Sequence, residues 1–127
     1  MLSSNISTEK LTIGIYARGY LMSDSKVSSL IGNRIYPSIA PEGTKTPFAV
    51  YERESYLVAN TKMGISQQIA EVIYEIVSDD YDSGAEVTLA IYNRLQGKHG
   101  GFTFDLVDSN EYYKENKYRQ RLLFQIK

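Results

Sequence analysis

The chain has 127 residues, and its 14 basic residues nearly balance 15 acidic ones, which leaves a net charge of −1. An apolar share of 43% and a charged share of 23% are ordinary for a globular protein and exclude a disordered chain. The absence of cysteine excludes disulfide scaffolds, thiolate metal sites and cysteine nucleophiles.

The length predicts one domain, residues 1–127, with its own hydrophobic core. The N-terminus lacks the basic start and apolar stretch of a signal peptide, and no apolar run approaches the roughly 18 residues that span a bilayer. We therefore expect a protein made and used in a cytoplasm, with no membrane partner. The near-neutral charge also disfavours specific nucleic-acid binding, which normally shows a basic footprint.

Two helical segments are predicted first. A helix spans about residues 8–22, with Ser7 as its cap. Its predicted inward face consists of Leu11, Ile15, Met22, Tyr16 and Tyr20. A short helical turn follows from Asp24 and ends at Gly32 and Asn33, because both residues tolerate a left-handed backbone.

Three extended segments come next, at residues 34–36, 48–54 and 66–78. The third carries β-branched and aromatic side chains with a period of two and one fully apolar face, which is typical of a long strand. Residues 55–64 have no clear period and are predicted to form a loop.

An acidic cluster precedes the second full helix. Asp79, Asp80 and Asp82 lie where a helix N-terminus favours negative charge, and the helix covers residues 85–95 and ends at Gly97. Its predicted buried face consists of Ala85, Thr88, Leu89, Tyr92 and Leu95, flanked by Val87 and Ile91.

Two strands close the chain, at residues 101–106 and 118–127, with a hairpin tip at residues 108–116. The inward residues of the last strand are predicted to be Tyr118, Leu122, Phe124 and Ile126. The order of elements predicts an α+β fold, in which a mostly antiparallel sheet of four to five strands carries two helices on one face.

No constellation of residues supports catalysis, a cofactor or a metal site. His99 is the only histidine, in a glycine-rich segment without phosphate-loop spacing, and we expect it on an exposed loop. The three aspartates lack EF-hand spacing, and helix capping explains them. Glu71 and Glu75 share a strand face as glycosidase carboxylates do, but a hydrolase also needs a cleft and one raised pKa. A solvated strand face is the simpler explanation.

The C-terminal segment is basic and rich in tyrosine. Its cations are Lys114, Lys117, Arg119, Arg121 and Lys127, and its tyrosines are Tyr112, Tyr113 and Tyr118. Aromatic side chains along a basic track bind single-stranded nucleic acid. The outward face of an amphipathic strand explains the arginines more simply.

Two predicted loops carry apolar side chains that a partner would cover. They are Tyr56, Leu57, Val58 and Met63 in the first loop, and Tyr112 and Tyr113 in the second. The chain has 11 tyrosines, and tyrosine combines a flat apolar body with a polar tip that suits interfaces. The alternative is that each loop folds back onto its own core.

The order of these features resembles the tail completion, or tail terminator, proteins of long-tailed phages, in particular the tail-to-head joining family. The most specific part is Gly32-Asn33-Arg34-Ile35-Tyr36 followed by Pro47-Phe48-Ala49-Val50-Tyr51. The long strand through residues 72–76 and the helix through residues 90–95 continue the pattern, which covers roughly residues 8–127.

The resemblance implies a non-enzymatic structural protein of a phage or prophage. Such proteins form a ring, usually a hexamer, that sits on the finished tail tube, stops its growth and docks the head connector. The implied partners are other copies of the chain, the tail tube protein and a head connector or head completion protein. The implied location is the virion tail, assembled in the bacterial host cytoplasm. Another small head–tail connector component, a hydrolase using Glu71 and Glu75, and a nucleic-acid-binding module remain as alternatives.

Overall fold

The computed structural model describes residues 9–60 and 66–127. In chain order the elements are a 3₁₀ helix (Glu9–Thr12), α1 (Ile13–Met22), α2 (Ser25–Ile31), β1 (Ile35–Pro37), β2 (Phe48–Asn60), β3 (Ser66–Ser78), α3 (Tyr81–Leu95), β4 (Gly97–His99), β5 (Phe102–Lys114) and β6 (Lys117–Ile126). The predicted α+β class is confirmed. Within the described ranges there are three α-helices and six strands, where the sequence predicted two helices and four to five strands. No helix in these ranges is long and apolar enough to cross a membrane.

The strands form a sheet in the order β1-β2-β3-β6-β5-β4. β1 runs parallel to β2, and every other neighbouring pair is antiparallel. Along the central strand β3, Val72, Tyr74 and Ile76 are buried in the core, whereas Glu71 and Glu75 point to the opposite side. The helices cover the buried side, and we call the side that bears the two glutamates the open face.

α1 presents a different side to the sheet from the predicted one. Ile13, Ala17 and Leu21 are buried, whereas Leu11 is 45% and Ile15 is 73% exposed. Both sets of residues recur at helical spacing, so periodicity alone could not separate them.

Small residues decide which side of α1 packs. A Cβ at Gly14 would lie 2.7 Å from a ring carbon of Tyr51, so the helix can approach β2 this closely only on its glycine and alanine side. Met22, Tyr16 and Tyr20 are half-buried at the margin of the core. The predicted cap Ser7 lies outside the described residues, as does residue 8.

α3 also differs from its predicted orientation. The residues that it buries are Gly84, Val87, Ala90, Ile91 and Leu95. Leu89 is instead 60% exposed, and the rest of the predicted face, except Leu95, is half-buried. A Cβ at Gly84 would collide with the Ser78 hydroxyl, so this glycine must face the end of β3. The capping prediction is confirmed for Asp80, whose carboxylate accepts a hydrogen bond from the Ser83 backbone N–H at 2.9 Å.

Two segments that were predicted as loops are strand. β2 continues to Asn60 alongside β3, after a bulge between Arg53 and Ser55. β5 continues to a turn at Glu115 and Asn116, whose φ angles of 55° and 62° suit a two-residue hairpin turn. Pairing with a neighbouring strand, rather than local alternation, keeps these segments extended.

Candidate interaction surfaces

The open face carries a charged cluster centred on Glu75 of β3. Its carboxylate accepts hydrogen bonds from the Tyr112 hydroxyl at 2.7 Å and from Arg119 Nη1 at 3.0 Å. Arg121 Nε lies 3.6 Å away, which is an ion pair too long for a hydrogen bond. Burial, and after it the bond to Glu75, raises the pKa of Tyr112. Both carboxylate oxygens of Glu75 are therefore engaged by β5 and β6.

Glu71, the second member of the predicted carboxylate pair, accepts a hydrogen bond from Ser55 Oγ of β2 at 3.1 Å. Each glutamate thus links its strand to a neighbouring strand. These contacts favour a structural role on the sheet surface over the hydrolase alternative.

The cations of the last strand are divided between two sites. The two arginines bind Glu75, whereas Lys117 forms a 2.8 Å ion pair with Asp79 at the start of α3. Hydrogen bonds from Lys117 and Thr46 lower the pKa of Asp79. A nucleic-acid track requires cations that are free to contact phosphates. The observed pairs therefore favour the interpretation of this strand as an amphipathic structural element.

A cluster of tyrosines lies at the turn end of the β5–β6 hairpin, on the helix side of the sheet. The ring of Tyr118 packs edge-on against Tyr113, at 4.8 Å between centroids, and against Tyr81, at 5.9 Å. The Tyr81 hydroxyl donates to Glu111 at 2.9 Å, which raises the pKa of Tyr81. These side chains line an open cleft. Tyr118, predicted to point inward, is 37% exposed.

The structure places the two predicted partner patches on strands rather than on loops. Tyr112 and Tyr113 are neighbours on β5, so they point to opposite faces, the first to the open face and the second to the tyrosine cluster. Tyr113 is 59% exposed.

The other patch lies near the end of β2. Tyr56 packs against the core, which agrees with the alternative that this segment folds back onto its own core. Leu57 and Val58 do not, since their side chains are 59% and 55% exposed. Met63 lies outside the described residues.

The exposed-loop prediction for His99 is wrong. The residue ends β4, is half-buried, and its ring stacks between Tyr20, at 4.0 Å between centroids, and Phe104, at 4.6 Å. The guanidinium of Arg94 covers the other side of Tyr20, 3.6 Å from the ring centroid. This stack joins α1, α3, β4 and β5, and the sequence offered no signal for it beyond the tyrosines of α1.

Both ring nitrogens of His99 form hydrogen bonds. Nε2 lies 2.7 Å from the Leu95 carbonyl, which can only accept, so we assign the proton to Nε2. Nδ1 then accepts from the Tyr16 hydroxyl at 2.7 Å. The ring has no nitrogen left for a metal. In the two described ranges, no group of three or more histidine or carboxylate residues is placed to hold a metal ion.

Comparison with known proteins finds a solved structure with a similar fold. No protein-family model and no curated protein sequence matches the chain. A chain from a solved structure described as the virion of a native gene transfer agent particle matches it with a TM-score of 0.69. The two chains share a fold. The match covers 87% of this chain and 89% of the other, at 18% sequence identity.

Proposed function

We propose that the chain is a structural component of a phage-like virion, and specifically a tail completion protein. In this role it forms a ring that caps the tail tube and docks the head connector. The observation that carries the proposal is the fold shared with a chain of a virion particle over 87% of this chain and 89% of the other. The resemblance to the tail-to-head joining family supports the finer assignment to the tail.

The residues that carry that resemblance join the first two strands. Gly32 ends α2 with a φ of 60°, and Arg34 donates from Nε to the Pro47 carbonyl at 3.0 Å. Ile35 then pairs with Ala49. These contacts hold β1 against β2, so the motif acts in the fold and needs no catalytic explanation.

A capping ring acts through association alone, without making or breaking a covalent bond. Cyclic symmetry requires each copy to offer two different patches, because the surface that faces one neighbour differs from the surface that faces the other. Leu57 and Val58 lie at the end of β2, and Tyr112 and Tyr113 lie on β5 at the other edge of the sheet. These exposed apolar and tyrosine side chains, in two separate places, are the patches that we propose for the ring contacts.

The test of this function is the solution mass, measured by light scattering over a range of concentrations, together with capture of a tail tube protein. We expect a closed oligomer, a hexamer by the family resemblance, that retains the tube protein. Val58→Glu and Tyr113→Glu are expected to weaken both results. Ile15→Glu, at a site on α1 that is 73% exposed, is the matched control.

Retention of a head connector protein without the tube protein would favour the alternative, another small head–tail connector component. A chain that neither self-associates nor retains either protein would overturn the proposal.

A further inference from the structure

Among the residues that the structure describes, two stretches at the sheet's edges have a strand partner on one side only. β1 pairs with residues 49–51 of β2, and β4 pairs with residues 102–104 of β5. Beyond these short strands, residues 52–58 form what we call the β2 edge and residues 107–114 form the β5 edge. Within the described residues, no backbone hydrogen bond connects the outer side of either edge to another segment.

Such edges normally carry features that prevent pairing with another chain, such as proline, charge or a bulge. Each of these edges has a bulge near its start, between Arg53 and Ser55 or between Leu106 and Asp108. Neither contains proline. The β2 edge begins with three charged residues, Glu52 to Glu54, and the β5 edge contains Asp108, Glu111 and Lys114, whereas residues 55–58 carry no charge. The uncharged segment at residues 55–58, with Leu57 and Val58 exposed, is therefore the part of the β2 edge that a second strand would cover.

The directions of the two edges match. β2 is antiparallel to β3, β3 to β6, and β6 to β5, so β2 and β5 run in opposite directions. A second copy in the same orientation would therefore bring its β2 edge against the β5 edge as an antiparallel pair, with the helices of both copies on one side. We propose that the β2 edge of one copy pairs with the β5 edge of the next; this inference rests on the proposed ring and names its interface.

The offset between the edges suits a closed ring. Near the middle of the β2 edge, Tyr56 is level with Ala70 of β3, and near the middle of the β5 edge, Glu111 is level with Ile76 through Gln120. Ala70 and Ile76 are six positions apart, which is about 20 Å along a strand. Each copy would add four strand spacings to a continuous sheet, counting the spacing to its neighbour, which is about 19 Å across the strands. If the middles of the two edges meet, the offset of about 20 Å along the strands divided by the width of about 19 Å gives a strand tilt of about 45° from the ring axis. This angle lies within the range that closed barrels adopt.

The pairing also predicts which side chains meet. Leu57 pairs with Ile69 and lies on the open face, because its neighbour Tyr56 points into the core. Tyr112 lies on the open face too, and Asn110 shares it two positions earlier. A continuous sheet keeps this alternation, so Leu57 of one copy lies opposite Tyr112 or Asn110 of the next.

Disulfide trapping tests this arrangement, since the chain has no native cysteine. The two test variants combine Leu57→Cys with Tyr112→Cys or with Asn110→Cys. Within one chain these positions are separated by β3 and β6, at least three strand spacings or about 14 Å, which exceeds the reach of a disulfide. Mild oxidation should therefore convert most chains of one double variant into a ladder of linked copies that a reducing agent collapses.

Single variants separate this interface from a two-fold one. Dimers from Leu57→Cys alone or Tyr112→Cys alone would mean that like edges meet, and would overturn the inference. The control for random collision combines Ile15→Cys with Ile39→Cys, at positions 73% and 79% exposed, and it should give no ladder. Unchanged circular dichroism spectra check that the variants fold.

The outcomes also separate this inference from the proposed function. A closed oligomer by light scattering without a ladder from either double variant overturns edge pairing and leaves the ring function standing. If the free chain is monomeric, oxidation is repeated with tube protein present, and no ladder there overturns edge pairing. Failure to self-associate and to retain tube or connector protein overturns the proposed function as well.

Discussion

Tyr74→Phe is expected to stabilise the protein. The side chain lies fully buried in the core under the helices, and no described group forms a hydrogen bond with its hydroxyl. An unpaired buried hydroxyl costs about 1–3 kcal/mol, while phenylalanine keeps the ring and its packing. We therefore expect the free energy of unfolding to rise by about 1 kcal/mol at neutral pH.

The stability advantage of Tyr74→Phe over the wild type should increase at alkaline pH. Burial, and after it the neighbouring Tyr51, raises the pKa of Tyr74 far above its ordinary value of 10.0. Above pH 10 the unfolded chain releases the hydroxyl proton, whereas the folded protein keeps it. The contribution of this proton to the free energy of unfolding of the wild type is therefore complete below pH 10 and declines above it. At pH 11 the release favours unfolding of the wild type by about 1 kcal/mol. Phenylalanine has no proton to release, so the difference between the two proteins should reach about 2 kcal/mol.

Urea titrations at the two pH values, followed by circular dichroism, measure this difference. Tyr113→Phe, at an exposed position, is the control and should change little at either pH. A loss of stability above about 1 kcal/mol for Tyr74→Phe at neutral pH would mean that the hydroxyl has a partner. A difference that stays constant with pH would refute the argument from burial.

Three further predictions concern contacts away from Tyr74. His99→Ala removes two hydrogen bonds and the stacked ring, so the free energy of unfolding measured in urea should fall by about 3 kcal/mol. A loss under about 0.5 kcal/mol would instead support an exposed loop. Gly84→Ala pushes a methyl group into Ser78 and should lower the free energy of unfolding by about 1–3 kcal/mol. The control is Gly19→Ala, where a methyl group meets nothing beyond its own helix within 4 Å and should raise the free energy of unfolding by up to about 1 kcal/mol. Equal effects would contradict the packing of α3. Hydrogen bonds lower the pKa of Asp79 and Asp80, so the stability that these carboxylates contribute is complete above pH 3.8 and is lost as the pH falls through their folded values. Thermal melts in acid should show a decline that is smaller in the double variant Asp79→Asn with Asp80→Asn, and an identical decline would contradict this assignment.

Several elements could be predicted because their signals are local. The span of β3 at residues 66–78 agrees with the structure, since apolar alternation over a long segment depends only on that segment. The cap of α3 at Asp80 is a contact over three residues, and the end of α2 at Gly32 depends on one backbone angle. The sequence therefore determined the helix and strand types, most of their order, and the α+β class.

Only the tertiary structure decided which sides of the helices face inward, how far the strands extend, and where the predicted partner residues lie. The Tyr16–His99 hydrogen bond joins residues 83 positions apart, so no local pattern could indicate that His99 is held in a stack. The side of α1 that packs depends on the fit of Gly14 against Tyr51, which belongs to another element. The β5 edge is strand because β6 pairs with it, and β4, which pairs with residues 102–104 alone, is too short to cover it. Packing and pairing depend on residues that are distant in sequence, and their outcome is set by the whole sheet.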